Sequence, residues 1–157
     1  MNSQKSYTIE EAKRALERYC VYQDRCHKEI VSKLYDYRMI PETHDVIIVH
    51  LIEHNFLNEE RFSKSFARGK FRIKKWGKQR IIRELKFKDI SAYNIKTALK
   101  EIDEKEYINT FNELAQKRFD AINESNIQKQ RKKLADYLLY RGWESTMIYA
   151  KINELIK

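Results

Sequence analysis

Glycine and proline are nearly missing from this chain. Its 157 residues contain three glycines (Gly69, Gly77, Gly142) and one proline, Pro41. That is too little turn chemistry for a many-stranded sandwich or barrel, so the fold class is all-α. Cysteine is equally scarce. Cys20 and Cys26 lie in helix-like sequence with no secretory leader ahead of them, which implies reduced thiols in the cytoplasm and no disulfide. The longest apolar run, Val46-Ile-Ile-Val49, is far too short to span a bilayer. A Gly-rich phosphate loop and a Ser/His/Asp or Cys/His nucleophile pattern are also missing. Nothing in the sequence calls for catalysis or a cofactor.

Acidic residues are locally absent as well. From Arg61 to Arg83 there are ten Lys/Arg and no Asp or Glu, whereas the whole chain carries +9, so the remainder sums to −1. A field this concentrated calls for a polyanion or an acidic protein surface as partner.

The patterning that is present is helical. Thr8-x-x-Glu11 is a capping box that opens a stripe of Ile9, Ala12, Leu16 and Tyr19. Pro41 suits a first helical turn, and the apolar stretch Val46–Ile52 has the look of a central buried helix. Asn58 caps the next helix, with Glu59 and Glu60 in its first turn. Continued in this way, the pattern gives nine helices.

These helices repeat. Leu34-x4-Met39, Leu85-x4-Ile90 and Leu138-x4-Trp143 fall at spacings of 51 and 53 residues, each turning a middle helix into a short third one. Ser91 and Ser145 are natural caps for those third helices. The expected architecture is three tandem three-helix units, 1–57, 58–102 and 103–157, stacked into an elongated, curved row.

If residues 58 to about 76 form one helix, Arg61, Lys64, Arg68, Arg72 and Lys75 share a stripe between about −60° and +20°. Phe62, Phe66, Gly69, Ile73 and Trp76 share a second face, between about +60° and +140°. Lys70, Lys74, Lys78 and Arg80 extend the basic surface into the next helix across Gly77. Phe71 lies beside the stripe, placed to stack on a base or fill a hole in a partner. Gly69, costing on the order of 1 kcal/mol inside a helix, points to close packing or an early helix end. Such a face neutralises phosphates with little sequence preference.

Two other spacings draw attention. His50-Leu-Ile-Glu53-His54 matches the H-x-x-E-H of inverted zinc peptidases, but it ends a short helix and runs straight into the next cap, so no metal is expected there. Cys20-x5-Cys26-His27 lacks the short Cys-x2-4-Cys spacing of structural zinc sites.

The block Leu57-Asn-Glu-Glu-Arg-Phe62 and the following SKSFARGKFRIKKWGKQRIIRELKFKDIS resemble the central repeat of the RecX family of bacterial recombination regulators. Leu138-Leu-Tyr-Arg-Gly-Trp143 is similar to that family's L-x-x-R-G-aromatic turn, and Arg38-Met39 departs from it. The resemblance implies a non-enzymatic monomer that binds the RecA recombinase and its filament on DNA. Such proteins lower RecA's ATPase, strand-exchange and co-protease activities, within DNA repair and the SOS response. It implies single- or double-stranded DNA as a further partner and no membrane; the ten uncompensated charges on one expected face place the contact at the basic residues named above. The rival expectation is a stand-alone helical DNA-binding protein of transcription-factor type, with its helix-turn-helix in the second unit.

Overall fold

Helix starts are written locally, and most begin where their caps stand. Thr8 accepts a hydrogen bond from the Glu11 N–H at 3.1 Å, and the Glu11 carboxylate accepts from the Thr8 N–H at the same distance. Asn58 and Ser91 cap through their side-chain oxygens onto Arg61 and Asn94, and Pro41 opens its helix.

The computed structural model describes residues 6–157, so residues 1–5 of the first expected unit lie outside the described residues. Among the described residues there are nine helices and no strand: α1 (Ile9–Tyr22), α2 (His27–Asp36), α3 (Pro41–Glu53), α4 (Glu59–Arg72), α5 (Lys78–Phe87), α6 (Ala92–Leu99), α7 (Glu104–Ala121), α8 (Ile127–Tyr140) and α9 (Ser145–Leu155). Every extensive helix–helix contact falls within a consecutive triplet. Helix α3 packs on α1 and α2, while α4, α5 and α6 pack mutually, as do α7, α8 and α9. This is an all-α repeat fold.

The repeat has a physical basis in the turn that ends each middle helix. Met39, Ile90 and Trp143 each donate their N–H five residues back, to Leu34, Leu85 and Leu138, at 3.0, 3.1 and 3.2 Å. The residue before each is left-handed: Arg38 at φ 59°, Asp89 at 60° and Gly142 at 91°. These are Schellman-type ends, in which the residue after the left-handed one tucks into the core. Met39, Ile90 and Trp143 are all buried. The first two turns take the conformation without glycine.

The buried residues form two clusters. One joins α1, α2 and α3 through Leu16, Ile30, Leu34, Ile47 and Leu51. The other runs through α4 to α9 without a break and centres on Phe71, Tyr107, Phe111 and Trp143. The second and third triplets therefore share one core.

Four local expectations need correction. Helix α3 is not buried all round, because α1 and α2 cover only the side carrying Ile47 and Leu51; Val46, Val49 and Ile52 remain about half exposed. Ser145 is the first residue of α9 and Glu144 takes the cap position, its carboxylate being occupied by the Tyr107 hydroxyl. Helix α4 stops at Arg72, and the chain turns through a left-handed Lys75 (φ 58°), which leaves Ile73 79% exposed instead of facing the core. Finally, the close packing expected of Gly69 belongs to Gly77, since a Cβ at Gly69 would meet nothing within 4 Å.

At Gly77 the backbone of the α4–α5 turn lies against the backbone of the α8–α9 turn. The Gly77 N–H donates to Arg141 O at 2.8 Å, and the Gln79 N–H donates to Gly142 O at 2.9 Å. A Cβ on Gly77 would sit 2.5 Å from Gly142 O, and one on Gly142 would collide with the Arg80 backbone. Gly77→Ala and Gly142→Ala are each expected to lower stability by about 2–3 kcal/mol in urea denaturation, the double variant losing less than the sum. Gly69→Ala is expected to raise it by up to ~1 kcal/mol.

Candidate functional site

The basic run is acid-free in sequence but not in space. Arg61 is consumed structurally: its guanidinium donates to Asp24 at 2.8 Å, to the Asn55 side chain at 3.1 Å, and to the Asn55 and Phe56 carbonyls at 3.2 and 3.1 Å. It ties the α1–α2 loop and the end of α3 to the start of α4. Lys64 pairs with Glu60 at 3.2 Å and Arg68 with Glu101 at 3.0 Å. Arg72 stands 3.9 Å from Glu106, and Lys78 pairs with Glu104 at 3.0 Å while lying over the Tyr107 ring. Those glutamates come from the first turn of α4, the end of the second triplet and the start of α7. Exposed pairs of this kind add little stability, but they cancel much of the field along α4.

Lys70, Lys74, Lys75, Arg80 and Arg83 form no ion pair among the described residues. Uncompensated charge therefore collects where α4 ends and α5 begins. Lys75 does not extend the α4 stripe; it occupies the turn, where its carbonyl accepts the Trp143 indole N–H at 3.2 Å.

Aromatic rings are interleaved with these cations. Lys70 Nζ lies 5.4 Å from the Phe66 ring centroid and 5.0 Å from that of Trp76. Arg80 lies 4.1 Å from the Trp76 centroid and 4.7 Å from that of Tyr140, an exposed residue of α8. Held between two rings, the Arg80 guanidinium also donates to the Tyr140 carbonyl at 3.4 Å. Sequence reasoning missed Tyr140. Its signal was adjacency to the Arg141-Gly142-Trp143 turn, which touches Gly77.

Phe71 is not available to a base or a partner. It is 2% exposed and packs on Tyr107, in the first turn of α7, at 5.8 Å between centroids, within the core shared by the second and third triplets. The Tyr107 hydroxyl accepts the Lys78 N–H at 2.8 Å and donates to the Glu144 carboxylate at 2.7 Å. Burial, first of all, pushes the Tyr107 phenol well above its ordinary range, so it stays protonated. One phenol thus links the starts of α5 and α9.

The histidine pair serves packing. His50 lies 2.7 Å from the Glu17 carboxylate, joining α3 to α1, and the His54 ring sits against it while bonding the His50 carbonyl at 2.9 Å. The His50 bond, followed by that from Arg14, holds Glu17 below the usual carboxylate range. Burial pushes both free thiols, Cys20 and Cys26, up to about 11, so they are not nucleophiles at neutral pH.

With this geometry described, likeness to known proteins becomes informative. Residues 58–99 match the family described as RecX, second three-helix domain, and residues 104–152 match RecX, third three-helix domain. The chain is 32% identical over 117 residues to the regulatory protein RecX of Yersinia enterocolitica, covering 74% of this chain and 68% of that one. The chain belongs to the RecX family. It is also 31% identical over 90 residues to the regulatory protein RecX of Lactobacillus gasseri, covering 57% of this chain and only 33% of that longer one. The crystal structure of RecX from Lactobacillus salivarius superposes with a TM-score of 0.75 at 25% identity, over 94% of this chain and 96% of the other. A second crystal structure, of regulatory protein RecX, gives a TM-score of 0.82 at 22% identity, over 93% and 73%, and speaks to the fold alone. RecX-family membership makes this chain a relative of regulatory proteins. Among the described residues, no helix is long and apolar enough to cross a membrane.

Removing the Tyr107 hydroxyl strands a backbone donor and a carboxylate. Tyr107→Phe is expected to cost about 1–3 kcal/mol in denaturant titration while leaving the helical circular dichroism intact.

Proposed function

We propose that this RecX-family chain regulates homologous recombination and DNA repair by binding the RecA recombinase and its filament on DNA, lowering RecA's ATPase, strand-exchange and co-protease activities without chemistry of its own. The three units 1–57, 58–102 and 103–157 act as a scaffold that lies along the filament, in the cytoplasm and as a monomer. Contact is made through the corner where α4 meets α5. The observation that carries this is the collection of Lys70, Lys74, Lys75, Arg80 and Arg83 without a carboxylate partner among the described residues, beside the rings of Trp76 and Tyr140. A filament of protein on nucleic acid offers phosphates and acidic side chains, and an unpaired Lys/Arg cluster attracts both. Arg61, Lys64, Arg68, Arg72 and Lys78 flank that corner as a mixed-charge border.

Charge reversal at the corner separates this role from a structural one, because Lys74 and Lys75 are exposed and Lys70 rests only on ring faces. The triple variant Lys70→Glu, Lys74→Glu, Lys75→Glu is expected to need at least tenfold more protein for half-inhibition of RecA's ATPase, at unchanged helical content. Inhibition at the wild-type concentration would refute the assignment, and RecA-independent binding with a base-sequence preference would favour a stand-alone DNA-binding protein instead.

A further inference from the structure

Between the α1–α2 loop and α4 lies an open groove of about 270 Å³. Its floor is mainly apolar, formed by Phe62, Phe66, Gly69 and Ile73 with Ser65 among them, and Lys70 and Lys74 stand at one lip. Gln23 and Asp24 form the opposite wall, and the Asp24 carboxylate is engaged by Arg61. Gly69 is the unusual residue. It sits inside a helix at a cost of roughly 1 kcal/mol relative to Ala, yet no neighbour among the described residues needs the space it leaves. Ile73, beside it, is 79% exposed although large and apolar. A helix carrying a glycine that packs against nothing and an isoleucine that faces water has the features of a seat for something outside the chain.

We propose that this groove seats a peptide segment bearing one large apolar side chain flanked by Asp or Glu. The apolar side chain fills the space over Gly69, against Phe66 and Ile73, and the flanking carboxylates meet Lys70 and Lys74. Charge complementarity selects the occupant: neither lysine forms an ion pair among the described residues, and beside them Phe62, Phe66 and Ile73 offer an apolar side chain a surface to cover. The inference rests on the function proposed above only for which partner supplies the segment.

Gly69→Leu fills the seat without altering any charge, and it raises intrinsic helix propensity, so the helix is expected to form at least as well. The probe is a fluorescein-labelled peptide, Asp-Glu-Asp-Phe-Leu-Glu-Asp, titrated with the full chain by anisotropy. Wild type is expected to bind it at least tenfold more tightly than Gly69→Leu, and at least fivefold more tightly than it binds the Asn/Gln version of the peptide. Equal binding by wild type and Gly69→Leu, or by neither, would overturn the proposal. Ile73→Glu, an exposed change that repels the flanking acids, is expected to lose binding in the same way and serves if the leucine variant fails to fold. An oligothymidine probe is expected to bind wild type and Gly69→Leu within twofold; a loss as large as the peptide's would put a polynucleotide in the groove and also overturn the proposal. No RecA is present in these titrations, so a chain that binds the peptide without inhibiting RecA sustains the groove and overturns only the function.

Discussion

Everything distinctive about the middle of this molecule follows from the approach of two backbones, at Gly77 and Gly142. A side chain at either position would occupy the other turn's main chain, and the paired hydrogen bonds to Arg141 and Gly142 require the two turns to touch. Helix α4 therefore stops short and its chain reverses through Lys75, whose carbonyl takes the Trp143 indole. Trp143 in turn lies against Tyr107 and Phe111, so the second and third triplets fuse into one core around the contact. The same joint brings Tyr140 across to Arg80. One backbone contact both completes the core and arranges the aromatic and basic corner above it.

Charge placement is the second constraint. A run of ten cations repels itself, and folding relieves it by bringing Asp24, Glu101, Glu104 and Glu106 alongside from elsewhere in the chain. The relief is uneven. It neutralises the flank of α4 and leaves the α4–α5 corner positive, so the field is narrower and more local than a count of residues suggests. Arg61 marks the extreme case, its donors committed to three acceptor residues that lock the first triplet to the second.

What was legible in the sequence was local. The capping box at Thr8, the caps at Asn58 and Ser91, and the five-residue spacing from Leu34 to Met39, Leu85 to Ile90 and Leu138 to Trp143 depend on bonds spanning three to five residues, and those elements stand where expected. The all-α repeat followed from them, as did family membership through the central block. Helix angles placed Phe71 beside the basic stripe, but its burial comes from the core shared with the third triplet, where it meets Tyr107 more than thirty residues on. The end of α4, the exposure of Ile73 and the cap of α9 are likewise set by partners distant in sequence: the Gly142 turn for the first two and Tyr107 for the third. Glu60 stood beside the run, but Glu101 and Glu106, the other acids that neutralise the α4 flank, could not be read from a window that contains none.

The central claim is that, among the described residues, five of the run's ten cations stand free of an ion pair, and the salt dependence of binding to bare single-stranded DNA reads how many phosphates the run neutralises. Each phosphate neutralised on a single strand contributes about −0.7 to the slope of log K against log salt, so five free cations give about −3.5. A slope near −7, the value for all ten acting together, would contradict the account by showing that the ion pairs give way on binding, and so would binding indifferent to salt.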